Sequence, residues 1–229
     1  AYAEYIAVPA RIVARNLLPV PAHVPLAHAA LVEPLACVVR GIEETGVTDG
    51  ETVVVFGIGP IGAMFVRVAR WRGARVIAVG RRPGRLEAAR RMGADHTIDA
   101  GHCDPVEAVR ALTEGGRGAD RVIECTGIPE VWEMAVAMAR KAGTLQLFGG
   151  PPAGSTACLD TNWLHYREIT LKSSFHHTPR HVRAALRLIA DGIVDPGLMI
   201  GAEEPLDCLP ALLERLAAGG GPLKTAVVP

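Results

Sequence analysis

The 229-residue chain has no surplus of either charge, since 24 lysines and arginines balance 24 aspartates and glutamates. Without a basic excess, nothing draws it to nucleic acid or to an anionic membrane surface. It has no uninterrupted apolar run approaching the ~20 residues that cross a bilayer. A basic, then apolar, then small-residue leader is missing as well, so secretion finds no support. The five cysteines, Cys37, Cys103, Cys125, Cys158 and Cys208, are odd in number, scattered, and without a CxxC pair. That excludes a self-contained cysteine zinc cluster and fits a reduced, cytoplasmic chain. No GxSxG elbow and no ordered Ser, His and Asp set occurs, which leaves nucleophilic hydrolysis without a foothold.

What is present centres on glycine. An apolar, strand-like run, Val53-Val54-Val55-Phe56, enters Gly57-Ile58-Gly59-Pro60-Ile61-Gly62, and a helix-patterned segment follows from Ala63. That order is the strand, tight turn and helix start of a dinucleotide site. Gly57 makes the turn, Gly59 lets the backbone approach a diphosphate, and Gly62 lets the helix pack close to the strand. The open amides and positive end of the helix then attract the phosphates. A glycine-rich turn can also be a plain connector. Here, however, a second strand, Arg75-Val76-Ile77-Ala78-Val79, arrives at the spacing of a βαβ unit.

That second strand ends without the carboxylate that would accept a hydrogen bond from a ribose 2′-hydroxyl. It reads Val79-Gly80-Arg81-Arg82-Pro83 instead. A carboxylate would repel a 2′-phosphate, whereas arginine grips one through paired, charge-assisted hydrogen bonds. Such bonds are worth about 1.5–3 kcal/mol. They point to NADP, with NAD as the lesser fit; the alternative is that Arg81 and Arg82 are solvated loop charges.

Around this unit the pattern alternates. Strands are expected at 52–56, 75–79, about 96–98, 121–125, 144–148 and 169–172, and helices at 60–72, 84–92, 104–114, 129–140 and 179–191. Apolar strands such as Val122-Ile123 and Leu145-Gln146-Leu147-Phe148 suit a sheet covered on both faces. The fold class is therefore α/β, a doubly wound parallel sheet. Ahead of it, the pattern from Leu26 to Gly46 is helical, with Pro34 in the first turn of the main helix and Gly46 at its end. Residues 2–9 read as a strand that needs partners, and 18–25 as a proline-punctuated linker. Behind the sheet come a helix at about 207–218, the run Gly219-Gly220-Gly221, and a final strand over Lys224-Thr225-Ala226-Val227-Val228. The chain opens on Ala1 rather than Met and reads as a piece of something larger.

Ligands in such sheets bind beyond the carboxyl ends of the strands. That places Thr126-Gly127, Gly149-Gly150 and Ser173-Ser174-Phe175 along a cofactor cleft, although each glycine alone reads equally well as a turn. His176 and His177 are adjacent, so their side chains diverge, and they read as structural or interface residues rather than a metal pair. His96, His102 and His165 show no partner pattern. Glu33, just before Pro34, stabilises a positive helix end by about 0.3–1 kcal/mol, or offers an oxygen to a zinc ion.

With these residues assembled, the chain resembles the medium-chain, zinc-dependent alcohol and polyol dehydrogenase family. The resemblance is carried by Tyr2-Ala3-Glu4-Tyr5, by the segment from Val32 to Gly41, and by Gly57-Ile58-Gly59-Pro60-Ile61-Gly62. Gly93-Ala94-Asp95 and the closing Lys224–Val228 stretch add to it. Glu33-Pro34-Leu35 and Ser174-Phe175-His176-His177-Thr178-Pro179 look most like the sorbitol and polyol branch. Val79-Gly80-Arg81-Arg82-Pro83 is similar to the NADP-using secondary-alcohol branch instead. Polyol members usually take NAD, so the two cues oppose each other.

The resemblance implies a Rossmann-type domain over 26–190, with remnants of a GroES-like β catalytic domain at 1–25 and 191–229. It implies that Glu33 is one of three protein zinc ligands, the Cys and His lying in an N-terminal domain outside this chain. Arg85 would reach the adenosine ribose and Lys224 the cofactor phosphates, while Thr126-Gly127, Gly149-Gly150 and Ser174-Phe175 face the nicotinamide half. The implied reaction passes a hydride between a secondary alcohol or polyol and NAD(P), zinc polarising the substrate oxygen, in a homodimer or homotetramer paired through sheet edges. On that basis this chain alone binds nucleotide without sustained turnover. Two other readings stand beside it: a zinc-free quinone or enoyl reductase of the same superfamily, and a non-catalytic nucleotide-binding module.

Overall fold

A short helix, α1 (Ala10–Asn16), starts behind Pro9, and a single turn, α2 (Leu26–Ala29), starts behind Pro25. The computed structural model describes residues 2–219 and 221–229, so Gly220 of the glycine run lies outside the described residues. Residues 2–9 form no strand, and Tyr2, Tyr5 and Ile6 are exposed. A strand without a neighbour leaves its amides and carbonyls unpaired, so an extended sequence preference by itself does not make one. The helical pattern over 26–46 resolves into the single turn α2 and the main helix α3 (Val32–Thr45), which carries Pro34 in its first turn as the sequence indicates. Pro34 explains the break: it has no N–H to give the carbonyl of Ala30 four residues back, and its ring crowds that group. At the other end Gly46, at φ +70°, closes α3 as a left-handed cap.

Two compact units follow from the packing, one of Cys37–His176 and one of Ala1–Ala36 with His177–Pro229. In the larger, the chain alternates β1 (Thr52–Phe56), α4 (Pro60–Trp71), β2 (Arg75–Gly80), α5 (Pro83–Arg91), β3 (His96–Asp99) and α6 (Pro105–Ala111). It continues through β4 (Ala119–Glu124), α7 (Pro129–Met138), β5 (Ala139–Leu147), α8 (Thr161–Tyr166) and β6 (Thr170–Ser173). Helices α4 to α7 each begin on proline, whose fixed φ suits a first turn and whose missing N–H costs nothing there.

The six strands are parallel in the order β3-β2-β1-β4-β5-β6. The order reverses between β1 and β4, which is where such sheets open a crevice at their carboxyl ends. Val54, Ile77, Val79, Val122 and Leu145 are sealed in the core, as both-face coverage of a parallel sheet requires. Strand β5 starts earlier than the sequence indicates: Ala139 pairs with Ala119, and Ala142 at φ +58° marks the irregular stretch before regular pairing from Thr144. Helix α8 carries no strong sequence signal beyond its cap, Asp160, whose carboxylate accepts the Trp163 amide at 2.9 Å.

The amino ends of β1 and β4 are joined by charge. Arg121 grips Glu51 with Nε and Nη2, at 3.1 and 2.8 Å, and donates to Thr144 Oγ1 at 2.7 Å. Asp120, whose side chain is 7% exposed, accepts from the Thr52 amide at 2.7 Å and from Arg140 Nε at 2.5 Å. Burial raises both carboxyls, but these donors outweigh it and hold Glu51 and Asp120 below the ordinary carboxylate range.

In the smaller unit α1 and α2 pack on α9 (Pro179–Ala190), and β7 (Ile200–Pro205) leads into α10 (Leu209–Ala217) and β8 (Lys224–Val228). Strands β7 and β8 form a two-stranded parallel pair. Among the described residues no helix is long and apolar enough to cross a membrane.

Candidate functional site

The glycine turn sits between β1 and α4. Gly57 has φ +96°, a conformation reserved for glycine, and its amide donates to the Val79 carbonyl at 2.9 Å. Gly59 is the N-cap of α4 at φ −92° and ψ −170°, and offers no side chain to the helix end. The first intrahelical bond runs from the Ala63 amide to Gly59. The amides of Ile61 and Gly62 therefore precede the ladder and form the donor end that an anion can use. A Cβ on Gly62 would strike the Gly57 carbonyl, so this glycine is what lets helix and strand approach.

The end of β2 lies beside this turn. The position a Cβ would take on Gly80 is 3.6 Å from Ile58, and Arg85 Nη1 reaches the Ile58 carbonyl at 3.5 Å. Burial, then the neighbouring Arg82 charge, lower the Arg85 pKa, yet a guanidinium remains cationic at neutral pH. Arg81 and Arg82 are exposed. A diphosphate-type turn and a cationic strand end thus converge, and no carboxylate stands at Gly80.

The loops after β4 and β5 complete the rim. The methyl of Thr126 packs on Gly57, where a Cβ would lie 2.6 Å from it. Gly127, at φ +71°, abuts the backbone of Gly149 and Gly150. Beneath them Glu124 is fully buried at the end of β4. Its carboxyl accepts from the Thr126 amide at 2.5 Å, the Thr126 hydroxyl, the Gly127 amide at 3.1 Å, and Trp132 Nε1 at 2.8 Å. Cys125 follows it, and burial, with Glu124 beside it, pushes the thiol well up. After β6, Ser174 Oγ accepts from Gln146 at 2.8 Å, and the Phe175 carbonyl accepts from Arg40 at 2.8 Å while its ring stands exposed.

Glu33 and Lys224 belong to the smaller unit. Glu33 lies in the first turn of α3, and its Oε1 is 3.3 Å from His177 Nε2. His177 Nδ1 is buried with no hydrogen-bond partner among the described residues. A carboxylate oxygen and an imidazole nitrogen side by side are donor types that zinc takes, so these residues fit a zinc ion. Lys224 opens β8, its amide bonded to the Met199 carbonyl at 3.0 Å.

Of the residues the sequence marks, Gly57–Gly62, Gly80 and Arg85 meet at one turn, and Thr126, Gly127, Gly149 and Gly150 meet at the neighbouring rim. Sequence reasoning left out two partners. Glu124 had no signal beyond an acid closing an apolar strand, and His177, read as a structural or interface residue, stands against Glu33 from a distant part of the chain.

The model of a family described as zinc-binding dehydrogenase matches residues 60–191. An L-threonine 3-dehydrogenase of Bacillus velezensis is 34% identical over 90% of this chain and 58% of its own length. A sorbitol dehydrogenase of Bacillus subtilis is 30% identical over 82% of this chain and 53% of its own. In structure, a zinc-binding dehydrogenase from Sinorhizobium meliloti, bound to NADP, superposes with a TM-score of 0.92 at 32% identity, over 100% of this chain and 66% of that one. The chain thus spans somewhat over half the length of these curated relatives. With more than half of its residues inside the family model, the chain belongs to the zinc-binding dehydrogenase family.

Proposed function

We propose that the chain is the nucleotide-binding part of an NADP-dependent oxidoreductase that exchanges a hydride with a secondary alcohol or polyol. The observation that carries this reading is the convergence of the Gly57–Gly62 turn, which opens beside the switch between β1 and β4, with Gly80 and Arg85 after the neighbouring strand β2. When bound, the nicotinamide supplies hydride chemistry and a zinc ion supplies Lewis-acid polarisation of a substrate oxygen. The protein's own part is binding and orientation. The Ile61 and Gly62 amides and the α4 dipole take the diphosphate, Arg81, Arg82 and Arg85 take the 2′-phosphate end, and Thr126, Gly127, Gly149, Gly150, Ser174 and Phe175 shape the nicotinamide side. Glu33 would hold zinc, with His177 beside it, and Lys224 would pair with cofactor phosphate.

The polyol relatives support the substrate class, since the Bacillus subtilis relative is named for sorbitol. Copies of the chain pair as a homodimer or homotetramer in this reading. Its support is β6, a terminal strand of the sheet that is largely exposed and leaves one row of backbone groups unpaired. All five cysteines are free, which supports a reducing, cytoplasmic setting.

Calorimetry with NADPH and NADH tests the cofactor assignment. NADPH should bind more tightly, and replacing Arg81 and Arg82 together by alanine should weaken NADPH by roughly ten- to 150-fold, at about 1.5–3 kcal/mol, while leaving NADH unchanged. A preference for NADH overturns the NADP assignment; binding of neither overturns the oxidoreductase reading.

A further inference from the structure

Glu124 is the one fully buried carboxyl group in the larger unit that no part of the proposed chemistry uses, and its surroundings are specific. It ends β4, the strand beside the topological switch, and its side chain faces four donors: two loop amides, one hydroxyl and the indole of Trp132 on α7. Its backbone carbonyl accepts two more, from Phe148 at 3.0 Å and Gly149 at 2.9 Å. The loop after β4 and the loop after β5 are therefore fastened to one residue. Thr126 extends the chain of bonds: its hydroxyl donates to Glu124 and accepts the Ile128 amide at 3.1 Å. Its methyl group meanwhile packs on Gly57. The adjoining Cys125 amide donates to the Phe56 carbonyl at 2.8 Å.

A helix-supporting acid would need none of this. A carboxylate can accept at several lone pairs on two oxygens and is the side chain best matched to several convergent donors. In a buried site an unpaired donor is costly, so the loop takes the one conformation that satisfies all four. We infer that Glu124 is a positioning residue: it fixes Thr126 and Gly127 against Gly57 and Gly149 so that the rim is preshaped for the nicotinamide half of the cofactor. It touches neither substrate nor cofactor. The inference rests on the proposed dinucleotide reading and deepens it by assigning the acid to one half of the ligand. The adenosine half, at Gly80 to Arg85, lies on the other side of β1 and does not share these bonds.

Glu124→Gln tests this, because it keeps shape and size but turns an NH2 group toward donors that need an acceptor. In the intact chain, affinity for NADPH should fall at least tenfold, while affinity for adenosine 2′,5′-bisphosphate, which has no nicotinamide, should stay within twofold. Amide hydrogen exchange without any ligand should quicken at Thr126 and Gly127. If Glu124→Gln does not fold, Trp132→Phe removes a single donor and should show the same imbalance in smaller measure. Equal losses for both ligands, or no loss for either, overturn the positioning role even though the wild type binds nucleotide. A wild-type chain that binds neither ligand overturns the dinucleotide reading itself, and the positioning role with it, whatever hydrogen exchange shows.

Discussion

Replacing Gly59 by alanine should separate ligand binding from folding. At φ −92° and ψ −170° the residue sits in extended backbone that alanine adopts freely. Among the described residues a Cβ there would meet only Arg85 Nη1, at an ordinary 3.5 Å. Nothing in the folded chain resists the methyl group, and alanine narrows the unfolded ensemble, so stability should hold or rise by about 0.4–1 kcal/mol. In the proposed dinucleotide reading the methyl stands where the diphosphate would approach the Ile61 and Gly62 amides. Pushing the ligand off one such charge-assisted bond loses about 1.5–3 kcal/mol, or roughly ten- to 150-fold in affinity.

The two flanking glycines behave differently. At Gly57 alanine would occupy φ +96° and overlap Thr126, and at Gly62 it would overlap a backbone carbonyl. Either should cost about 1–3 kcal/mol of stability before any ligand is considered. Thermal melting and NADPH calorimetry on the three variants supply the comparison. A Gly59→Ala chain that melts well below wild type, or that binds NADPH undiminished, refutes the reasoning.

Two further outcomes follow from the core and from the charged end of the sheet. Leu145 is fully buried in β5, and Leu145→Ala should lower unfolding stability by about 2–5 kcal/mol in a urea titration; a loss under 1 kcal/mol would contradict the packing. Glu51 and Asp120 titrate below their ordinary values in the folded chain. Their contribution is thus present above the unfolded carboxylate pKa of about 4 and fades as pH falls through the lower folded values. Asp120→Asn should consequently reduce melting temperature more at pH 6 than at pH 3, and an equal reduction at both would argue against the ion pairs as the cause.

The strands of the sheet could be read from the chain because apolar runs alternate with proline-started helices and glycine caps, all of which act locally. The glycine turn was legible for the same reason. What escaped depends on tertiary partners. Strand β7 includes Gly201, Glu203, Glu204 and Pro205, a composition with little preference for strand, and it exists through pairing with β8. Residues 2–9 show the converse, a strand-like composition with no ladder to join. The start of α3 was legible too, since a proline suits a first turn and Pro34 marks it. The meeting of His177 with Glu33 was not, because no local rule links residues so far apart in sequence.

The strands carry their ion pairs at one end and their glycines at the other. Arg121 with Glu51 and Arg140 with Asp120 lock the base, whereas the opposite lip is made of small residues and one sunken acid. Drift at open lip positions such as Gly59 and the exposed Arg81 and Arg82 can therefore reshape the lip without loosening the base. At those positions heat tolerance and ligand preference are free to evolve on separate schedules, whereas Gly57 and Gly62 tie the two together.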